Sequence, residues 1–299
     1  MICYILGYFT ILYLKQKKLL ILLFSITLII YRCAEKPNTN PVNQNIEFLL
    51  DKGMIYWEQR TDSVTLNKGK HFIKLAQENR PNDFDLKILL AKINYTHALF
   101  FEKNIETKSQ VFWENSQLCQ NAVLSHKDFI LLYQNNQTND YSQMIDLLSE
   151  APKSVIPGLF WWAINLGRYL NNEPVLERLK YRELLEVIMH RIISLEPNFY
   201  YSGPYRFFGS MYTRIPGIEL SQSKTYFEQA IQTNPEYLGN LVHMAEYYYQ
   251  KSGNREMFNK TLKSVIDTDI NLNPELMAEN YLYQKKSREL LKKEASLFE

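Results

Sequence analysis

Arg206 is the one cation in the aromatic-rich stretch YYSGPYRFFGSMY, residues 200–212. A guanidinium in such surroundings does one of two things. It pairs with a buried carboxylate and holds the fold together. Alternatively it lines a cleft and anchors the polar end of a ligand whose body lies on apolar side chains, here with Tyr200 and Tyr201 as neighbours. A second cluster, Phe160, Trp161 and Trp162 followed by Asn165, has the same character. Core packing is the default for it. Adjacent tryptophans point about 100° apart on a helix, however, so both face one seam only if the helix is broadly buried. Trp161, Trp162, Asn165, Tyr201 and Arg206 are therefore the candidate ligand contacts.

Covalent chemistry finds no support. The five histidines, His71, His97, His126, His190 and His243, form no metal-ligand spacing. There is no nucleophile elbow, zincin motif or dinucleotide fingerprint, and SVTLNKGK lacks the remaining residues of a phosphate loop. Glu183 and Glu186 lie three apart, as on any solvated helix face. The expectation is a binding protein without metal, cofactor or catalysis.

The elements that must position these residues are helical. Of 299 residues only 10 are glycine, 46% are hydrophobic, and no period-2 strand stands out. The first 33 residues form a leader. Lys15, Lys17 and Lys18 precede the apolar run Leu19 to Ile30, which is short for a membrane span and suits a signal sequence. A retained signal anchor is the other reading. Cys33 ends the leader as the cysteine of a bacterial lipoprotein site would, although Tyr31 and Arg32 stand where small residues are usual. Residues 34–43 read as a flexible tether and 44–299 as the helical domain. Without the leader's four cations, 30 basic residues face 32 acidic ones, so no basic stripe is left for nucleic acid. Cys119 reads as a small buried hydrophobe.

A pattern recurs along the chain. A small or apolar residue is followed by apolar residues at +4 and +7 and by proline at +12. The copies are Gly69-Ile73-Ala76-Pro81, Leu185-Met189-Ile192-Pro197 and Ser223-Phe227-Ala230-Pro235. Three residues so spaced share a helix face, and the proline stops that helix or opens the next. Small residues follow the prolines, Ala91, Gly167 and Ala245 ten residues on and Gly209 twelve, where helices could approach closely. Gly203-Pro204 reads as a loop ending and a helix starting. Residues 133–143 read as an exposed loop or insertion, and Asn273-Pro274 as the start of a C-terminal capping helix.

The pattern resembles a degenerate tetratricopeptide (TPR) array of paired helices. A more specific resemblance rests on Gly203, Pro204, Arg206 and Gly209, then Pro216, Leu220, Phe227 and Ala230, and upstream on Phe160 to Ala163 with Asn165, Leu166 and Gly167. GMIYWEQR (53–60) and AEN (278–280) add to it. In these residues the chain is similar to the T-component family of tripartite ATP-independent periplasmic (TRAP) transporters. The resemblance implies an all-α TPR lipoprotein in the periplasm, held by a lipid on Cys33. It also implies a TRAP-type substrate-binding protein as partner, a trimeric assembly and a hydrophobic small molecule as ligand. The rival expectation is a TPR lipoprotein that scaffolds envelope assembly and binds no ligand.

Overall fold

Three helices end in the same way, and proline is the reason. The structure, a computed structural model, describes residues 41–136 and 141–299. In it α2 (Ser63–Asn79), α9 (Arg182–Leu195) and α11 (Leu220–Thr233) each stop directly before an X-Pro pair. The ring of a proline disfavours helical backbone at the residue before it. Arg80, Glu196 and Asn234 accordingly share nearly one conformation, with φ of −128°, −154° and −133° and ψ of 69°, 73° and 71°. Their N–H groups donate to Ala76, Ile192 and Ala230, so the last apolar position of each repeat also closes its helix. A turn with proline at its second position follows each time, closed by Asp83, Phe199 and Tyr237 donating back to the same three residues.

Helix pairs are built on this joint. Next come α3 (Phe84–Phe100), which is capped by the Asp83 side chain, and α4 (Ile105–Leu124), capped by Asn104. They pack in sequence on α2. Then α4 packs on α7 (Ile156–Leu170) across an insertion. The insertion comprises α5 (Lys127–Asn136) and α6 (Tyr141–Ser149), so residues 133–143, read as a loop, include two helix ends. After α7 and the short α8 (Val175–Lys180), α9 packs on α7, and α10 (Phe199–Tyr212) pairs with α11. Helix α12 (Leu238–His243) runs on as a π-helical stretch, Met244–Tyr249. The chain then forms α13 (Arg255–Asp267), α14 (Met277–Lys292) and α15 (Glu294–Leu297). Residues 274–276 form a turn before α14, so that helix starts later than Asn273-Pro274 suggests. No strand occurs among the described residues. The protein is an all-α helical-repeat array.

The chain divides into two units, residues 1–47 and 48–299. Of the first, only 41–47 are described, as the start of α1 (Pro41–Glu58), which begins inside the segment read as tether. The leader and Cys33 lie outside the described residues. In the second unit the repeat positions form the core. Ile73, Ala76, Ile192, Phe227 and Ala230 are fully buried, as is Cys119, whose thiol pKa burial pushes well up. Close approach is real at Gly209, where a Cβ would lie 2.8 Å from the Phe227 ring. Gly217 takes φ 83° after Pro216, a turn position that favours glycine. Among the described residues no helix is long and apolar enough to cross a membrane.

Candidate functional site

Helix α10 begins with a break in its own backbone. Tyr200, Tyr201 and Ser202 lie in the left-handed region, at φ 47°, 57° and 59°. Each such L-residue costs roughly 1–2 kcal/mol, so three in a row need bracing. Arg206 provides it. Its Nη1 donates to the Tyr201 carbonyl at 3.0 Å and to Asn240 Oδ1 at 2.6 Å, and Nη2 donates to the Tyr200 carbonyl at 3.3 Å. The guanidinium also lies over the Tyr237 ring, 4.8 Å from its centroid. Asn234 Nδ2 donates to Ser202 Oγ at 2.6 Å. Right-handed helix resumes at Gly203-Pro204, where a missing N–H costs nothing. The buried carboxylate expected opposite Arg206 is not its partner. The carbonyls turned inward by the left-handed residues take that place, because they offer acceptors at the spacing of a guanidinium fork.

Beside this turn lies a narrow cavity, with about 900 Å³ of empty space when the open solvent at its mouth is included. Helix α7 gives it Phe160, Trp161 and Ile164, and α10 gives Phe207 and Met211. Polar side chains line it too, Tyr95 from α3, His243 and Tyr247 from the α12 segment, and Glu279 and Tyr283 from α14. Every residue of the lining lies in the second unit. The π-helical stretch carries Tyr247, and such irregular turns recur at functional sites.

Two charge clusters border the cavity. In one, the Tyr200 hydroxyl donates to Glu279, and Arg60 lies 3.8 Å from the same carboxylate while its guanidinium covers the Trp57 ring at 4.1 Å. Burial first, and then Glu279, hold the Tyr200 pKa well above the ordinary tyrosine range. The residues singled out in 53–60, 200–212 and 278–280 thus meet in space. In the other, Arg168 donates to the Tyr95 hydroxyl at 3.2 Å and the Tyr247 hydroxyl at 2.5 Å, and its Nη2 lies 3.0 Å from His243 Nε2. Burial and the neighbouring cations Arg168, Lys286 and Arg206 keep His243 well below the usual histidine pKa. It is neutral, and because arginine can only donate, the ring proton sits on Nδ1.

Of the residues singled out in the sequence, Trp161 and Arg206 line the cavity. Trp162 is 2% exposed within the core and is not on the lining. Asn165 is fully buried, donates to the Trp161 carbonyl at 2.7 Å and accepts from Asn115 at 3.3 Å. Tyr201 stacks on Tyr237 with ring centroids 4.7 Å apart, outside the lining. Gly167 touches the cavity floor, where a Cβ would meet Phe207 at 2.8 Å. Arg168, Tyr95, His243, Tyr247, Glu279 and Tyr283 were not picked out as site residues, since each reads as an ordinary helix position. No group of residues able to hold a metal occurs among those described.

The fold and the cavity define an all-α helical-repeat protein with a candidate binding site. The family model described as TRAP transporter T-component matches residues 78–298, and the chain belongs to that family. No curated protein matches it. The matched span contains every residue that lines the cavity. The chain is therefore an accessory component of a TRAP transporter.

Proposed function

We propose that this protein docks a TRAP-type substrate-binding protein in the periplasm and holds a hydrophobic small molecule in the cavity between α7 and α10, without transforming it. The observation that carries this reading is that the family match spans every residue lining the cavity. The apolar wall of Phe160, Trp161, Ile164, Phe207 and Met211 supplies the surface such a ligand needs, and a few polar groups fix its orientation. Cys33, at the end of an apolar leader, supports anchoring by a lipid. The family resemblance supports a homotrimer, which light scattering on the full chain reads directly as three copies.

The partner is tested by co-purifying the full chain with the substrate-binding protein of the same transporter. Co-elution of the two is the expected result. Two folded proteins that run separately at concentrations of tens of micromolar would overturn the reading.

A further inference from the structure

Helix α1 has two apolar faces, and the core uses one of them. Leu49, Gly53 and Trp57 turn inward and are buried. With about 100° of turn per residue, Phe48 and Ile55 fall on the side away from these three. They are 53% and 46% exposed. Single exposed apolar residues are ordinary on a protein surface, but these two do not stand alone. Lys52 stands between them in sequence, with its Nζ 5.7 Å from the centroid of the Phe48 ring.

The strip continues onto α2. Half-buried Tyr56 stacks on half-buried Phe72, with ring centroids 5.9 Å apart and planes 9° from parallel. Lys68 places its Nζ 5.6 Å from the Tyr56 centroid. The outer side of the α1–α2 pair therefore presents apolar side chains, mostly aromatic, with lysines lying across the rings. The exposed acids of this part of α1, Asp51 and Glu58, both stand to one side of the strip.

Aromatic rings crossed by lysine stems suit a surface that meets lipid. Aromatic side chains settle at the level of the headgroups, and a lysine keeps its stem in the apolar layer while its ammonium reaches phosphate. A helix lying in the plane of the interface sinks its apolar face by only about 5–10 Å. The place of the strip in the chain names this occupant. Residues 34–40 are all that separate Cys33 from Pro41. Even at full extension that segment reaches no more than about 30 Å, and Phe48 lies about 10 Å further along α1. A lipid on Cys33 thus keeps the strip close to the bilayer. None of its residues lines the cavity, and all of them precede the span matched by the family model, 78–298.

We propose that the outer strip of α1 and α2 lies on an anionic lipid surface. Phe48 and Ile55 enter the boundary between headgroups and acyl chains, and Lys52 and Lys68 meet lipid phosphates. The inference rests on the reading of Cys33 as the lipidated residue and adds a second contact, made by the folded domain itself. An acyl anchor alone limits the distance from the bilayer. The strip sets which side of the domain faces it.

The test places spin labels on the full, acylated chain in vesicles of phosphatidylethanolamine and phosphatidylglycerol. Labels enter at Phe48→Cys and Ile55→Cys, with Ser221→Cys, exposed on α11, as the water-facing control. Cys119 is fully buried and stays unlabelled. Mass spectrometry reads the acyl groups on Cys33 in the same preparations. The ratio of oxygen to nickel-chelate collisions is expected to be several-fold higher at positions 48 and 55 than at position 221. Lys52→Glu combined with Lys68→Glu, both at exposed positions, is expected to bring the ratio down to the control while Cys33 stays acylated. An acylated chain whose three labels give one ratio would overturn the docking and leave the anchor standing. Labels screened from both reagents and broadened by one another would put a second copy of the chain on the strip, which overturns the docking as well. A Cys33 without acyl groups would overturn both readings.

Discussion

Arg206 Nη1 reaches the Tyr201 carbonyl at 3.0 Å only because Tyr201 is in the left-handed region. The strained residue turns its carbonyl toward the guanidinium, and the guanidinium holds the residue in that strain. Asn240 closes the arrangement by bonding both partners. The same guanidinium lines the cavity, so the brace and the site share one side chain.

Removing that side chain frees three inward acceptors and the strained turn together. Arg206→Met is expected to cost about 3–5 kcal/mol, as loss of one partner from a buried charged network does. Arg206→Lys should recover little of it, since a point charge cannot span two carbonyls and an amide as the fork does. Urea denaturation of the three proteins checks this. A lysine variant as stable as the wild type would show that charge alone is the brace.

Gly209 lets α10 and α11 close. A methyl group there would meet the Phe227 ring at 2.8 Å, and Phe227 is fully buried. Gly209→Ala is expected to destabilise by about 1–3 kcal/mol. Phe227→Leu, destabilising alone, should cost less in the Gly209→Ala background. Additive losses in a double-mutant cycle would mean that the two sites do not press on each other.

Trp161 and Met211 both face the cavity but should respond differently. Trp161 is 3% exposed and packs edge-on against Phe160, Tyr95 and Tyr200, so Trp161→Ala is expected to lose about 3–5 kcal/mol of stability along with binding. Met211→Trp should fill the space and abolish ligand binding while the melting temperature changes little. Tyr201→Ala, off the lining, should lower stability and spare binding. Binding titrations read beside thermal melts separate the three outcomes.

How much of this was legible in the sequence depends on the length scale. The repeat of apolar positions and prolines announces itself because helix periodicity and the X-Pro restriction act over a dozen residues, as Ala230 and Pro235 show. The Gly-Pro-x-Arg run singled out Arg206, which lies on the cavity lining. Its partner was misread, because nothing in the identities of Tyr200 and Tyr201 announces left-handed backbone. Trp161 and Trp162 could not be told apart, since which of two adjacent rings meets a void depends on helices far away in the chain. Arg168, His243 and Tyr247 come from segments more than seventy residues apart, and only packing joins them.

Acid should weaken the fold through His243. Its folded-state pKa is depressed by burial and by Arg168, Lys286 and Arg206. Below about pH 6.5 the unfolded chain therefore binds a proton that the folded chain refuses, and stability falls with pH by up to about 1.4 kcal/mol per unit until the folded pKa is reached. His97, also lowered by burial and by Lys70, acts in the same direction. Denaturation at pH 7.5 and 5.5 is expected to show a smaller acid loss in His243→Gln than in the wild type. Equal losses would place the acid sensitivity elsewhere.

The claim on which the rest depends is that the hollow beside Trp161 and Arg206 is a ligand site. Anomalous diffraction from crystals of the full chain grown with 4-(4-bromophenyl)butyrate tests it most directly. A bromine peak among Phe160, Trp161, Phe207 and Met211 is expected. Bromine found only on the outer surface, with the hollow empty, would contradict it.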